Sequence, residues 1–98
     1  MCEDIRRTRA LKWFREQYGR DVFEETDLEE DTSFDRYFVV AQKSDGAWTT
    51  FAACTSVSLE RAAANVKAFA DDGFDVDVYD TDADEIVPVQ IRHEVSLG

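Results

Sequence analysis

The sequence predicts an α+β fold: an N-terminal helix followed by ββαββ, with a four-stranded, mostly antiparallel sheet packed on a helix at 58–72. Three stretches carry that expectation. In "SLERAAANVKAFADD", Leu59, Ala62, Ala63, Val66, Phe69 and Ala70 recur at three-to-four spacing and form one apolar stripe. "RYFVVAQK" (36–43) and "AWTTFAAC" (47–54) flank Asp45-Gly46, a dipeptide suited to the positive φ angles of a tight hairpin. "FDVDVY" (74–79) alternates apolar with polar residues, the period of a strand with one buried face.

At 98 residues, with 44% apolar content, the chain can bury one modest core and not two. It reads as a single α+β domain over 1–98, divided into a basic helix (1–20), an acidic connector (21–35) and the ββαββ core (36–98). Seven Phe, two Trp and three Tyr argue against disorder despite the charge.

The first helix is expected over 4–18, "DIRRTRALKWFREQY". Ala10, Leu11, Phe14 and Tyr18 share a face that Trp13 widens, and Arg6, Arg7, Arg9, Lys12 and Arg15 occupy the polar side. Asp4 suits the N-cap or first turn, and Gly19 suits the stop. Residues 20–35 lose this period, and Val22, Phe23, Leu28 and Phe34 are left to tie the connector to the core.

A hairpin closed by Asp45-Gly46 sets Ser44 opposite Ala47, Val40 opposite Phe51 and Phe38 opposite Ala53. Phe38, Val40, Phe51 and Ala53 are then the expected core face. The reverse face, with Tyr37, Val39, Ala41, Trp48, Ala52 and Cys54, is too apolar to leave in water. The N-terminal helix, the connector or a second chain should cover part of it, which is the one hint of a homodimer.

The second long helix has Ser58 as N-cap and Gly73 as stop. In the third strand Phe74, Val76 and Val78 point inward, and Asp75, Asp77 and Tyr79 outward. The fourth strand is expected over 86–95, with Val87, Val89, Ile91 and Val95 inward. Pro88 lacks a ladder donor and so places that strand at an edge.

Net charge is −11, and its distribution is uneven. Residues 1–20 are net basic, whereas 21–35 and 71–85 each hold eight acids and no base. Asp80, Asp82 and Asp84 match the first ligand positions of a calcium loop, but Glu85 stands where the loop needs Gly and Ile91 where it needs Glu. The single histidine, His93, and two distant cysteines, Cys2 and Cys54, offer no transition-metal spacing. His93 has no partner in sequence for base catalysis and reads as a structural residue, and no glycine-rich phosphate loop is present. These features point to a non-enzyme without cofactor or metal.

The N-terminus lacks the apolar core of a secretion signal, and no run approaches the roughly 18 apolar residues of a membrane span. A cytoplasmic, reducing location without membrane contact is the expectation. The excess of acid argues against direct nucleic-acid binding, even by the basic face of 4–18.

Two readings of the acids remain. In the first, the acidic blocks stand in for a phosphate backbone: Asp75 and Asp77, two apart on a strand, lie roughly 6.6–7 Å from each other. The surface would comprise Asp72, Asp75, Asp77, Tyr79, Asp80, Asp82, Asp84 and Glu85, with Glu24, Glu25, Asp27, Glu29, Glu30 and Asp31. Its partner would be a basic, nucleic-acid-binding protein. In physical type this is similar to small acidic inhibitors of the anti-CRISPR and anti-restriction kind; the likeness rests on no motif. In the second, the acids are salt adaptation of a small regulatory or housekeeping domain. Thirteen Asp against nine Glu and eight Arg against three Lys fit that reading, while the clustering fits the first.

Overall fold

The structure, a computed structural model, describes residues 3–88. Its elements are α1 (Glu3–Tyr18), α2 (Val22–Glu25), β1 (Tyr37–Asp45), β2 (Trp48–Ser56), α3 (Leu59–Asp71), β3 (Asp75–Asp80) and β4 (Glu85–Val87). The four strands run β2-β1-β3-β4, and every pairing is antiparallel. The α+β arrangement predicted from sequence is present. The expected places of Val89, Ile91, His93 and Val95 lie outside the described residues.

Local chemistry sets the helix ends. Gly19, at φ 68°, ends α1, and its N–H donates to the Arg15 carbonyl at 2.7 Å. The Ser58 hydroxyl caps α3 by accepting from the Arg61 N–H at 3.2 Å. At the other end Gly73 takes φ 89°. Its N–H donates to the Ala70 carbonyl, and the Phe74 N–H donates to the Phe69 carbonyl. These are the paired bonds of a Schellman cap, completed by the Phe69 and Phe74 rings at 5.7 Å.

The β1–β2 register differs from the expected one by two residues. Asp45 pairs with Trp48, so the loop is Gly46-Ala47, and Val40 faces Ala53 while Gln42 faces Phe51. A turn at Asp45-Gly46 needs positive φ at both residues. With Gly46 first, glycine alone takes it, at 69°. A shift of two preserves parity, so Phe38, Val40, Phe51 and Ala53 still share one face.

Both faces of the sheet are covered. On one, Ala10, Trp13 and Phe14 of α1 pack with Val22, Phe34, Phe38, Val40, Phe51 and Tyr79. On the other, Ala62 and Val66 of α3 pack with Tyr37, Val39 and Val78. The face expected to form the core therefore lies under α1, and the apolar reverse face is largely covered by α3. The buried stripe of α3 is narrower than the sequence suggested, since Ala63 is exposed and Leu59 is 52% exposed.

Candidate acidic interaction surface

The two acidic blocks come to lie along α1, one held by Arg7 and the other by Arg6 and Arg9. Asp21 opens α2 by accepting from the Phe23 N–H at 2.8 Å, which favours a tight turn directly after α1. Val22 and Phe34 are buried in the α1-side core, so the connector is anchored at both ends. Between these anchors Arg7 donates to the carbonyls of Thr32 (3.2 Å) and Glu30, and its guanidinium lies over the rings of Phe23 and Phe34.

Glu24, Asp27, Glu29, Glu30 and Asp31 are consequently displayed. All five are exposed. Their side chains make no hydrogen bond or ion pair among the described residues. Glu25 is half-buried and paired with Arg20 at 3.4 Å.

The second block behaves differently. Asp80 is 6% exposed and accepts from Arg36 through both carboxylate oxygens, at 3.0 and 2.9 Å. Its Oδ1 also accepts the N–H groups of Asp82 and Ala83, at 3.0 and 3.1 Å, which winds the turn between β3 and β4. Thr81 is buried and ties this turn to Arg36 through its own N–H and hydroxyl. Asp82 pairs with Arg6 at 3.0 Å, and Arg9 donates to the carbonyls of Thr81 and Asp82. Asp84 takes positive φ, 57°, and accepts from the Tyr79 hydroxyl.

Two sequence expectations are corrected here. Tyr79 is not an outward contact residue: it is 3% exposed, and its ring stacks on Trp13 with centroids 5.1 Å apart and planes 5° from parallel. Its strand parity with Asp75 and Asp77 is as expected, but α1 covers that face at the Tyr79 end. Asp80 is likewise not a surface acid, because Arg36 and the turn amides enclose it. Asp82 and Asp84 keep some exposure yet are engaged within the fold.

What remains outward in this block is Asp72, Asp75, Asp77 and Glu85, all exposed. Asp77 accepts from the Tyr18 hydroxyl at 3.0 Å. The fourteen-residue row read from sequence thus divides into a displayed connector patch, a smaller displayed patch at 72–77, and a structural turn.

Electrostatics follow this division. The Arg36 hydrogen bonds hold the Asp80 carboxyl below the usual carboxylate range, and the Asp80 bond raises Arg36. Burial, followed by the hydrogen bond to Asp84, raises the Tyr79 hydroxyl; burial and the nearby Asp77 raise Tyr18. Burial pushes the Cys54 thiol up to about 11, which keeps it protonated and poorly nucleophilic at neutral pH.

Among the described residues, no group of three or more His, Cys, Asp or Glu could hold a metal ion. The carboxylates of the Asp80–Asp82–Asp84 run are engaged by protein donors instead: Arg36 holds Asp80 and lies 3.9 Å from Asp82, Arg6 pairs with Asp82, and the Tyr79 hydroxyl donates to Asp84. Two open depressions, one beside Leu11, Arg15 and Asp21 and one beside Asp35, Ser56 and Asn65, contain neither histidine nor cysteine. No helix among the described residues is long and apolar enough to cross a membrane.

The sequence reading missed Arg36 and Thr81, which organise the second block. Arg36 is the first base after the acidic connector, and that position is the one available signal of its role. No protein-family model, curated protein or solved structure matches the chain.

Proposed function

We propose that this chain is a non-enzymatic, acidic interaction module that occupies a Lys/Arg-lined, nucleic-acid-binding surface of a partner protein, in the manner of small anti-CRISPR or anti-restriction inhibitors. One observation carries the reading. Glu24, Asp27, Glu29, Glu30 and Asp31 stand exposed without side-chain partners among the described residues, while Arg6, Arg7 and Arg9 are turned onto the protein's own acidic blocks. The bases of α1 thereby hold acids in place, and the outward field around the connector stays negative. Asp72, Asp75 and Asp77 supply a second patch.

The clustering also favours this reading over salt adaptation. The exposed side of α3 mixes Glu60 and Asp71 with Arg61, Lys67 and exposed alanines, unlike a uniform acidic coat.

The test compares two charge-matched variants in a pull-down from cell lysate at two salt concentrations. One changes Glu24, Asp27, Glu29 and Glu30 to amides; the other makes the same change at Glu16, Asp45, Glu60 and Asp71. The expected outcome is a partner captured by the parent and the second variant, lost with the first, and released by salt. That partner's hold on nucleic acid should fall as the chain is added. Equal capture by both variants, or capture indifferent to salt, would sink the proposal.

A further inference from the structure

The most unusual element in this highly charged chain is β2. Its nine residues, "WTTFAACTS", include no charge, no proline and no glycine. Among the described residues it is an edge strand, and its nine consecutive pairs with β1 contain no bulge. Proteins ordinarily blunt such edges with charge, proline, bulges or short length, because unpaired backbone groups invite another strand. The opposite edge follows that habit: β4 begins at Glu85 and is followed by Pro88. β2 does not.

The register identifies the unpaired groups. Asp45 and Trp48 close the two-residue loop and exchange the first ladder bonds, so alternate residues from Trp48 turn their backbone toward β1. Thr49, Phe51, Ala53 and Thr55 therefore turn N–H and C=O outward. Among the described residues no backbone group meets them.

The surroundings select the occupant. α2 lies against β2, and the Thr55 hydroxyl donates to the Ser33 carbonyl and the Asp35 carboxylate, so both ends of the acidic connector border this strand on its α1 side. On the α3 side, Trp48 stands 77% exposed near the hairpin tip, in line with Thr50, Ala52 and Cys54. An added strand thus meets carboxylates on one face and an indole on the other. A second copy of this chain would instead bring another −11 of charge to the same edge.

We propose that β2 is a docking edge to which an extended, Lys/Arg-bearing segment of the partner protein adds as a further strand. This rests on the acidic-surface reading above and names how that partner is held. Main-chain hydrogen bonds give the register, alternate Lys/Arg side chains meet the connector acids, and apolar residues between them pack beside Trp48.

The probe is a nine-residue peptide alternating Lys and Val, matched in length to β2, with a Ser-for-Lys counterpart, each added to the full chain. The Lys peptide should bind about tenfold more tightly than the Ser peptide at low salt. It should also slow amide exchange at Thr49, Phe51, Ala53 and Thr55. Thr49→Pro removes one outward donor and spares the β1 ladder, so it should weaken binding about tenfold. The exchange measurement is made on the unaltered chain and holds whether or not that variant folds.

Salt-sensitive binding without protection of these four amides overturns the edge proposal and leaves the acidic-surface reading standing. Protection by both peptides alike removes the acids from recognition and overturns the basic partner. Protection before any peptide is added, with a doubled mass, assigns the edge to a second copy and overturns the proposal. Failure of both peptides to bind overturns it together with the reading on which it rests.

Discussion

The Arg36 guanidinium grips both carboxylate oxygens of Asp80, with Nε to Oδ1 at 3.0 Å and Nη2 to Oδ2 at 2.9 Å. The same Asp80 oxygen that meets Nε accepts two turn amides, so one buried carboxylate joins the start of β1 to the β3–β4 turn. Asp80→Ala removes these bonds and leaves the amides of Asp82 and Ala83 unpaired. The expected loss is about 2 kcal/mol in urea unfolding.

The acid response has a definite sign. The folded-state pKa of Asp80 is lowered, chiefly by its hydrogen bonds to Arg36. Its contribution to stability is therefore complete above the unfolded value of about 3.9 and is lost as pH falls through the lowered value. Asp80→Asn should be less stable than the parent at neutral pH, and the gap should close in acid. A gap that persists unchanged below pH 3 contradicts this.

Tyr18 and Tyr79 respond at the other end of the scale. Burial raises both, and each donates to a carboxylate, Asp77 and Asp84. An unfolded tyrosine ionises near pH 10, so folded stability from these two is present below that pH and declines above it. A spectrophotometric titration should show ionisation later than in unfolded chain, and Tyr18→Phe and Tyr79→Phe should each remove part of the late step.

The turn Gly46-Ala47 makes a sharper claim about a single residue. A Cβ at Gly46 meets nothing within 4 Å, but φ is 69°. Gly46→Ala therefore costs left-handed strain alone, about 1–2 kcal/mol, with no steric clash. Thermal unfolding should detect it, and the fold should otherwise be kept.

Salt should separate an interaction surface from a salt-adapted coat. With its acids clustered and Arg6, Arg7, Arg9 and Arg36 tying the blocks down, the chain should fold at low ionic strength. Its unfolding temperature should change by only a few degrees as salt screens repulsion between acids. Folding that begins only in molar KCl contradicts the present reading.

Alternation and helical period were legible because they report burial directly: the strand faces, the α3 cap at Ser58 and the stop at Gly73 all follow from local chemistry. The hairpin register was not, since Asp45 and Gly46 favour a turn that a neighbouring, less strained loop replaces. Tyr79 shows the limit of parity. Asp75, Asp77 and Tyr79 share a face, but only the three-dimensional course of α1 decides that one end of it is dry. For the acids, sequence revealed the clusters; which carboxylates serve the fold depends on where Arg36 and Arg6 reach, a matter of long-range contact.

The two indoles give the protein its own optical labels. Trp13, on the buried side of α1, packs against Tyr79, whereas Trp48 stands 77% exposed in β2 near the hairpin tip. Quenching by acrylamide should therefore act mainly on Trp48 in the folded chain. A blue shift of Trp48 while Trp13 stays protected from quencher would report occupation of the β2 edge, and a red shift with loss of that protection at Trp13 would report unfolding.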